Sequence, residues 1–108
     1  MTTINVEQLK ARMDAGEKLN LIDVREPYEY EEFNIGAKLI PLGKITSMQA
    51  DELDDLKDEE IILHCRSGKR SAAAINQLEQ QFGFTNLSNL QGGILAWAEE
   101  IDPTIQVY

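Results

Sequence analysis

A chain of 108 residues, 43% hydrophobic and 27% charged, has the size and composition of one globular domain with its own core. Its net charge of −9 argues against nucleic acid as a partner, and no run approaches the ~20 apolar residues that span a bilayer. One cysteine and one histidine exclude an internal disulfide, a CxxC pair and a Cys/His zinc cluster, so neither metal nor cofactor is expected. The opening MTTINVEQLK carries no basic leader and no apolar stretch, which predicts a cytoplasmic protein with no signal peptide.

With Asn5 as cap, Val6–Ala15 reads as the first helix; Val6, Leu9, Ala11 and Met13 form its apolar stripe and Gly16 its stop. LNLIDV (Leu19–Val24) reads as a strand, Pro27–Phe33 as a short helix and AKLIPL (Ala37–Leu42) as a second strand. Asp51–Leu56 is a short acidic helical stretch. The segment from Asp51 to Glu60 holds seven acidic residues and one lysine, which reads as a solvated face. IILHC (Ile61–Cys65) is the third strand. Ser71–Phe82 is the clearest helix, with Ile75, Leu78 and Phe82 on one face, Gln77, Gln80 and Gln81 on the others, and Gly83 after the last turn. TNLSNL (Thr85–Leu90) is the fourth strand, and Gly93–Glu100 a last helix that ends before Asp102-Pro103. Near-continuous apolar strands alternating with helices predict an α/β domain whose central, mainly parallel sheet is flanked by helices on both faces. Ligands of such sheets sit beyond the carboxyl ends of the strands, and Cys65 falls there.

The expected geometry at Cys65 is strand, loop, helix: Cys65-Arg66-Ser67-Gly68-Lys69-Arg70, with the helix opening at Ser71. Backbone N–H groups of a tight loop entering a helix lack intrahelical partners and converge on an anion. Gly68 permits the positive φ of such a curl. A sulfur at the centre of those donors, beside Arg66, Lys69 and Arg70, is favoured as thiolate. The alternative, a cysteine that only packs, fits poorly with three cations in the next five positions. In an acidic chain, that cationic spot points to a small anionic ligand. Neighbouring strand residues face opposite ways, so His64 is expected behind the loop as a structural residue. Cysteine phosphatases place an arginine sixth after the nucleophile. Here that position is Ser71, and Arg70 arrives one residue early. The smaller ring suits one added sulfur atom better than a full oxyanion.

Three motifs in order resemble the rhodanese (thiosulfate sulfurtransferase) family, specifically its small single-domain cytoplasmic kind, over nearly the whole chain. LIDVREPYEYEEFNIGAKLIPL is similar to the first signature, around Asp23-Val24-Arg25, Glu29-Tyr30 and Gly36-Ala37. IILHCRSGKRSAAA resembles the active-site loop and the helix after it, and NLQGGILAW matches the glycine pair and tryptophan, here Gly92, Gly93 and Trp97. Where the family commonly reads G-H-I-P-G-A, this chain has Phe33-Asn34-Ile35-Gly36-Ala37, one residue short.

The resemblance implies one rhodanese-like domain over residues 1–108 and a persulfide carried on Cys65. The sulfur would come from a small anionic donor such as thiosulfate and leave to cyanide, a thiol or a protein acceptor. With no second thiol in the chain, the acceptor has to be external. The backbone from Arg66 through Ser67, Gly68, Lys69 and Arg70 to Ser71 forms the substrate-binding set. Arg66 and Lys69 are expected at the entrance, and Arg70 as the more direct contact. Asp23 and Arg25 are expected to support the loop or each other, with Glu29 a further partner of Arg25. No nucleic acid and no membrane is expected as partner. Two other readings stand beside this one: a non-catalytic sulfur-carrier or protein-interaction module, and a cysteine-based phosphatase or arsenate reductase.

Overall fold

Apolar side chains alternate along the strands in the way a doubly covered sheet requires. In the computed structural model, which describes residues 1–107, Ile61 and Leu63 join one buried cluster and Ile62 joins the other. These residues belong to β4 (Ile61–His64), the central strand of five. The others are β1 (Thr2–Ile4), β2 (Leu21–Asp23), β3 (Lys38–Leu39) and β5 (Leu87–Leu90). Their order is β1-β5-β4-β2-β3, and all four pairings are parallel. Register places Leu63 beside Ile22 and Asn89, so the carboxyl ends of β2, β4 and β5 meet at one rim.

Helices cover both faces. On one side α1 (Val6–Asp14) and α5 (Gly93–Glu100) bury Val6, Leu9, Ile94 and Trp97 against Ile62 and Leu90. On the other, α3 (Leu42–Thr46), a 3₁₀ turn (Asp51–Leu56) and α4 (Lys69–Gln81) bury Ile45, Leu53, Ala74, Ile75 and Leu78. Each of the larger aliphatic side chains taken fully out of water contributes about 1.5–3 kcal/mol, which is what holds helices this short against the sheet. The helix α2 (Pro27–Glu32) lies between β2 and β3 in the chain.

Local signals set several boundaries. Asn5 accepts from the Gln8 N–H at 2.8 Å while the Gln8 side chain accepts from the Asn5 N–H at 3.0 Å, a reciprocal cap for α1. Four expectations need correction. The strands are shorter than their apolar runs. β3 ends at Leu39, although the Ile40 N–H still donates to the Asp23 carbonyl at 2.9 Å and the Leu42 N–H to that of Val24 at 3.0 Å, and Leu42 opens α3 instead of ending the strand. β1 escaped notice because a polar Thr-Thr pair suits a solvent-facing edge, where only Ile4 is buried. α4 begins at Lys69, two residues before Ser71, because Gly68 at φ +107° completes the reversal by itself. In the shortened segment before β3, the Asn34 side chain accepts from the Gly36 N–H at 2.9 Å, and this closes the turn locally.

Candidate active site

Cys65 directly follows β4 and points to the same side as Ile61 and Leu63, towards α4. Its side chain is buried, with 1% of the residue exposed. The pocket is not purely apolar. Gly68 N–H donates to Sγ at 3.1 Å, Ser71 N–H at 3.4 Å, and the Ser71 hydroxyl lies 3.4 Å away. Burial pushes the thiol up, but the Ser71 hydroxyl and the N–H groups of Ser71, Gly68 and Ser67 outweigh it and hold the thiol below its ordinary value.

The inward turn of these donors has a traceable cause. Ile94 N–H takes the Cys65 carbonyl at 2.9 Å, and Leu95 N–H takes that of Arg66 at 3.0 Å. Both donors belong to the first turn of α5, where N–H groups have no intrahelical partner. No peptide in the described chain is cis, and in a trans unit the N–H points opposite to the C=O. Drawing the Arg66 carbonyl out to α5 therefore turns the Ser67 N–H in towards the sulfur. Gly93, at φ +56°, lets α5 come this close: a Cβ there would sit 2.7 Å from the Arg66 oxygen. Asn89 at the end of β5 completes the frame, its Nδ2 donating to the Gly68 carbonyl at 3.1 Å.

Arg70 closes on Glu29 through two hydrogen bonds of 2.6 and 2.9 Å. That guanidinium holds the Glu29 carboxyl down to about 2, so the pair is intact at any ordinary pH, and Glu29 in turn holds Arg70 above its usual range. Glu29 had been expected beside Arg25; its ion pair is with Arg70, 41 residues away in sequence. Lys69 and Ser67 are exposed and Arg66 is half-buried.

Behind the loop, Asp23 and Arg25 hold each other. The guanidinium meets the carboxylate at 2.8–3.1 Å, the Arg25 N–H donates to Asp23 Oδ1 at 3.0 Å, and Arg25 Nη2 reaches the Phe33 carbonyl at 2.7 Å. His64 faces away from the sulfur, with Nε2 buried 3.6 Å from the Asp23 carboxylate. Burial drives its pKa below the ordinary imidazole value although Asp23 pulls the other way. Among the described residues, no cluster of three or more His, Cys, Asp or Glu is placed to hold a metal ion. Asn89 and the α5 amides are the site groups that sequence reasoning missed. The available signal was a lone amide side chain in the buried strand Leu87–Leu90, since a buried polar group demands partners.

The family model described as "Rhodanese-like domain" matches residues 5–100. A putative sulfurtransferase of Bacillus subtilis, YtwF, is 40% identical over 93% of this chain and 93% of its own. The probable adenylyltransferase/sulfurtransferase MoeZ of Mycobacterium tuberculosis is 40% identical over 99% of this chain, which spans 27% of that longer protein. The crystal structure of a rhodanese-related protein from Thermoplasma volcanium superposes with a TM-score of 0.78 at 31% identity, covering 94% of each chain. The match over residues 5–100 and the identity to YtwF over nearly its whole length show that the chain belongs to the rhodanese-like domain family.

Proposed function

We propose that the protein is a sulfurtransferase that carries sulfur as a persulfide on Cys65. The observation that carries this reading is the convergence of the Gly68 and Ser71 N–H groups on one thiol, the chain's single cysteine, with the Ser71 hydroxyl beside it. The Cys65 thiolate attacks the outer sulfur of a donor such as thiosulfate. The donor S–S bond breaks, sulfite leaves with the electron pair, and a Cys65 persulfide anion forms. An external thiolate or cyanide then attacks the terminal sulfur, which restores the Cys65 thiolate. Loop amides stabilise the charge in both steps, as oxyanion-hole donors do. The sulfurtransferase designations of YtwF and MoeZ support this chemistry.

Intact mass after thiosulfate treatment tests it. The wild type is expected to gain one sulfur atom, cyanide to remove it, and Cys65→Ser to gain nothing. A wild type that stays at its original mass with a panel of sulfane-sulfur donors overturns the proposal. A persulfide that forms but passes to no small acceptor identifies a carrier instead of a turnover enzyme.

The cations of the loop act as an attractor for the anionic donor, with Arg70 also bracing the loop through Glu29. Arg70→Ala removes one positive charge and leaves the Glu29 carboxylate unpaired at the mouth, whereas Lys69→Ala removes an exposed cation only. The expected rise in KM for thiosulfate is about tenfold for the first and about twofold for the second. Steady-state kinetics at low salt check this, and equal, small effects contradict it.

A further inference from the structure

Three polar groups in the site answer to one hydroxyl proton. Ser71 Oγ lies 2.6 Å from Asn89 Oδ1, 3.2 Å from the Gly68 carbonyl oxygen and 3.4 Å from Cys65 Sγ. The orientation of Asn89 follows from its other partner. The Gly68 carbonyl only accepts, so the end of Asn89 that meets it at 3.1 Å is the NH₂, and the end facing Ser71 is the carbonyl oxygen. That oxygen only accepts as well, so the 2.6 Å contact holds the Ser71 proton. With the proton there, Ser71 turns lone pairs towards the sulfur. This suits a neutral thiol, whose S–H donates to Ser71, and disfavours a thiolate. A thiolate draws the Ser71 proton to itself and leaves Asn89 Oδ1, in a residue only 8% exposed, without its donor.

We propose that Asn89 is a positioning residue that competes with Cys65 for the Ser71 hydroxyl proton, and so couples the charge on the sulfur to the hydrogen bond between Ser71 and Asn89. Before loading, the thiolate holds the proton of Ser71. Once the outer sulfur of the donor has bonded to Sγ, the negative charge sits on the terminal atom and Sγ is neutral. The hydroxyl then returns to Asn89. The competition disfavours the unloaded thiolate and thereby favours taking up sulfur, while the backbone donors keep the thiol ionisable. The inference rests on Cys65 as the sulfur-bearing residue, as proposed above.

Thiolate absorbance titrations separate this from a purely structural role. The chain has one cysteine, so Cys65→Ser serves as blank. The other charged and titratable groups around the sulfur are Arg66, Lys69 and Arg70 with Glu29 on the loop side, and His64 with Asp23 and Arg25 behind the strand. They are the same in all the proteins compared, except that Asn89→Asp adds a carboxylate, whose through-space repulsion of the thiolate persists without Ser71 while its competition for the hydroxyl proton does not.

Below the midpoint, Asn89→Ala is expected to hold about fivefold more thiolate than wild type, the worth of one hydrogen bond freed for the sulfur. Asn89→Asp, a stronger acceptor for the same proton, holds less thiolate than wild type. In a Ser71→Ala background the gain from Asn89→Ala disappears. A merely structural role loosens the Gly68 anchor in both Asn89 variants and moves both the same way, towards less thiolate. That result overturns the proposal, as does a gain that persists without Ser71. If Asn89→Ala does not fold, the Asn89→Asp loss decides, since it has to shrink when Ser71 is absent. Persulfide formation by the wild type is measured in the same preparations. Its failure counts against sulfur transfer and leaves the titration result standing.

Discussion

Arg25→Ala is expected to cost about 3–5 kcal/mol of stability at mildly alkaline pH, because it strands the Asp23 carboxylate in the interior. The pair is 4% and 0% exposed by side chain, so water does not replace the lost guanidinium. The cost should depend on pH in an unusual direction. In the wild type His64 is held below the ordinary imidazole value, chiefly by burial. Its contribution is intact above the unfolded value and is lost as pH falls towards the folded one, so acid works against the fold. Without Arg25, a proton on His64, 3.6 Å from the carboxylate, supplies the missing cation. The folded value of His64 then lies above the unfolded one. That stabilisation is present below the unfolded value and disappears as pH rises through the folded one. Urea unfolding at about pH 8 and about pH 5.5 should therefore show the penalty shrinking on acidification. A penalty equal at both pH values, or larger in acid, contradicts the role given to His64, and adding His64→Gln should abolish the difference.

Gly93→Ala is expected to remove both stability and sulfur transfer. The position combines a left-handed φ of +56° with a place for Cβ only 2.7 Å from the oxygen and 2.8 Å from the carbon of the Arg66 carbonyl. Those atoms are backbone and cannot rotate away, so either α5 or the loop has to move. Strain and overpacking together cost about 2–4 kcal/mol. The movement also pulls the Ile94 and Leu95 amides off the Cys65 and Arg66 carbonyls and releases the inward-facing donors. The thiol of Gly93→Ala should accordingly titrate closer to an ordinary cysteine. Gly16→Ala is the control. It has a similar φ of +77° but open space around it, so it should lose about 1 kcal/mol and keep its activity. If both variants behave alike, backbone strain and not the close approach of α5 accounts for the Gly93 effect.

Much of the frame was legible along the chain because its causes are local. Asn5 with Gln8 three residues on, Gly16 after α1, and the stop before Pro103 all act within one turn of helix. The apolar run Ile61–Leu63 could only belong to a strand covered on both sides, and β4 is the centre of the sheet. The same locality explains the errors. An apolar run has no mark at which pairing stops, so β3 was drawn too long, and Thr2-Thr3 has no apolar pattern to betray an edge strand. Which partner Glu29 takes was not decidable from charge alone, since Arg25 and Arg70 both offer a guanidinium. Folding brings Arg70 to it across 41 positions.

The amino-acid order by itself determined the α/β class, the parallel strands and the placing of Cys65 where a strand gives way to a glycine curl and a helix. Those features depend on side-chain period and on residues next to one another. Only the tertiary structure decided what surrounds the sulfur. The loop faces inward because α5 and Asn89, from 21 to 29 residues further along the chain, take up its carbonyls. A hydrogen bond between distant segments is settled by how helices pack on the sheet, and no short stretch of the chain encodes it.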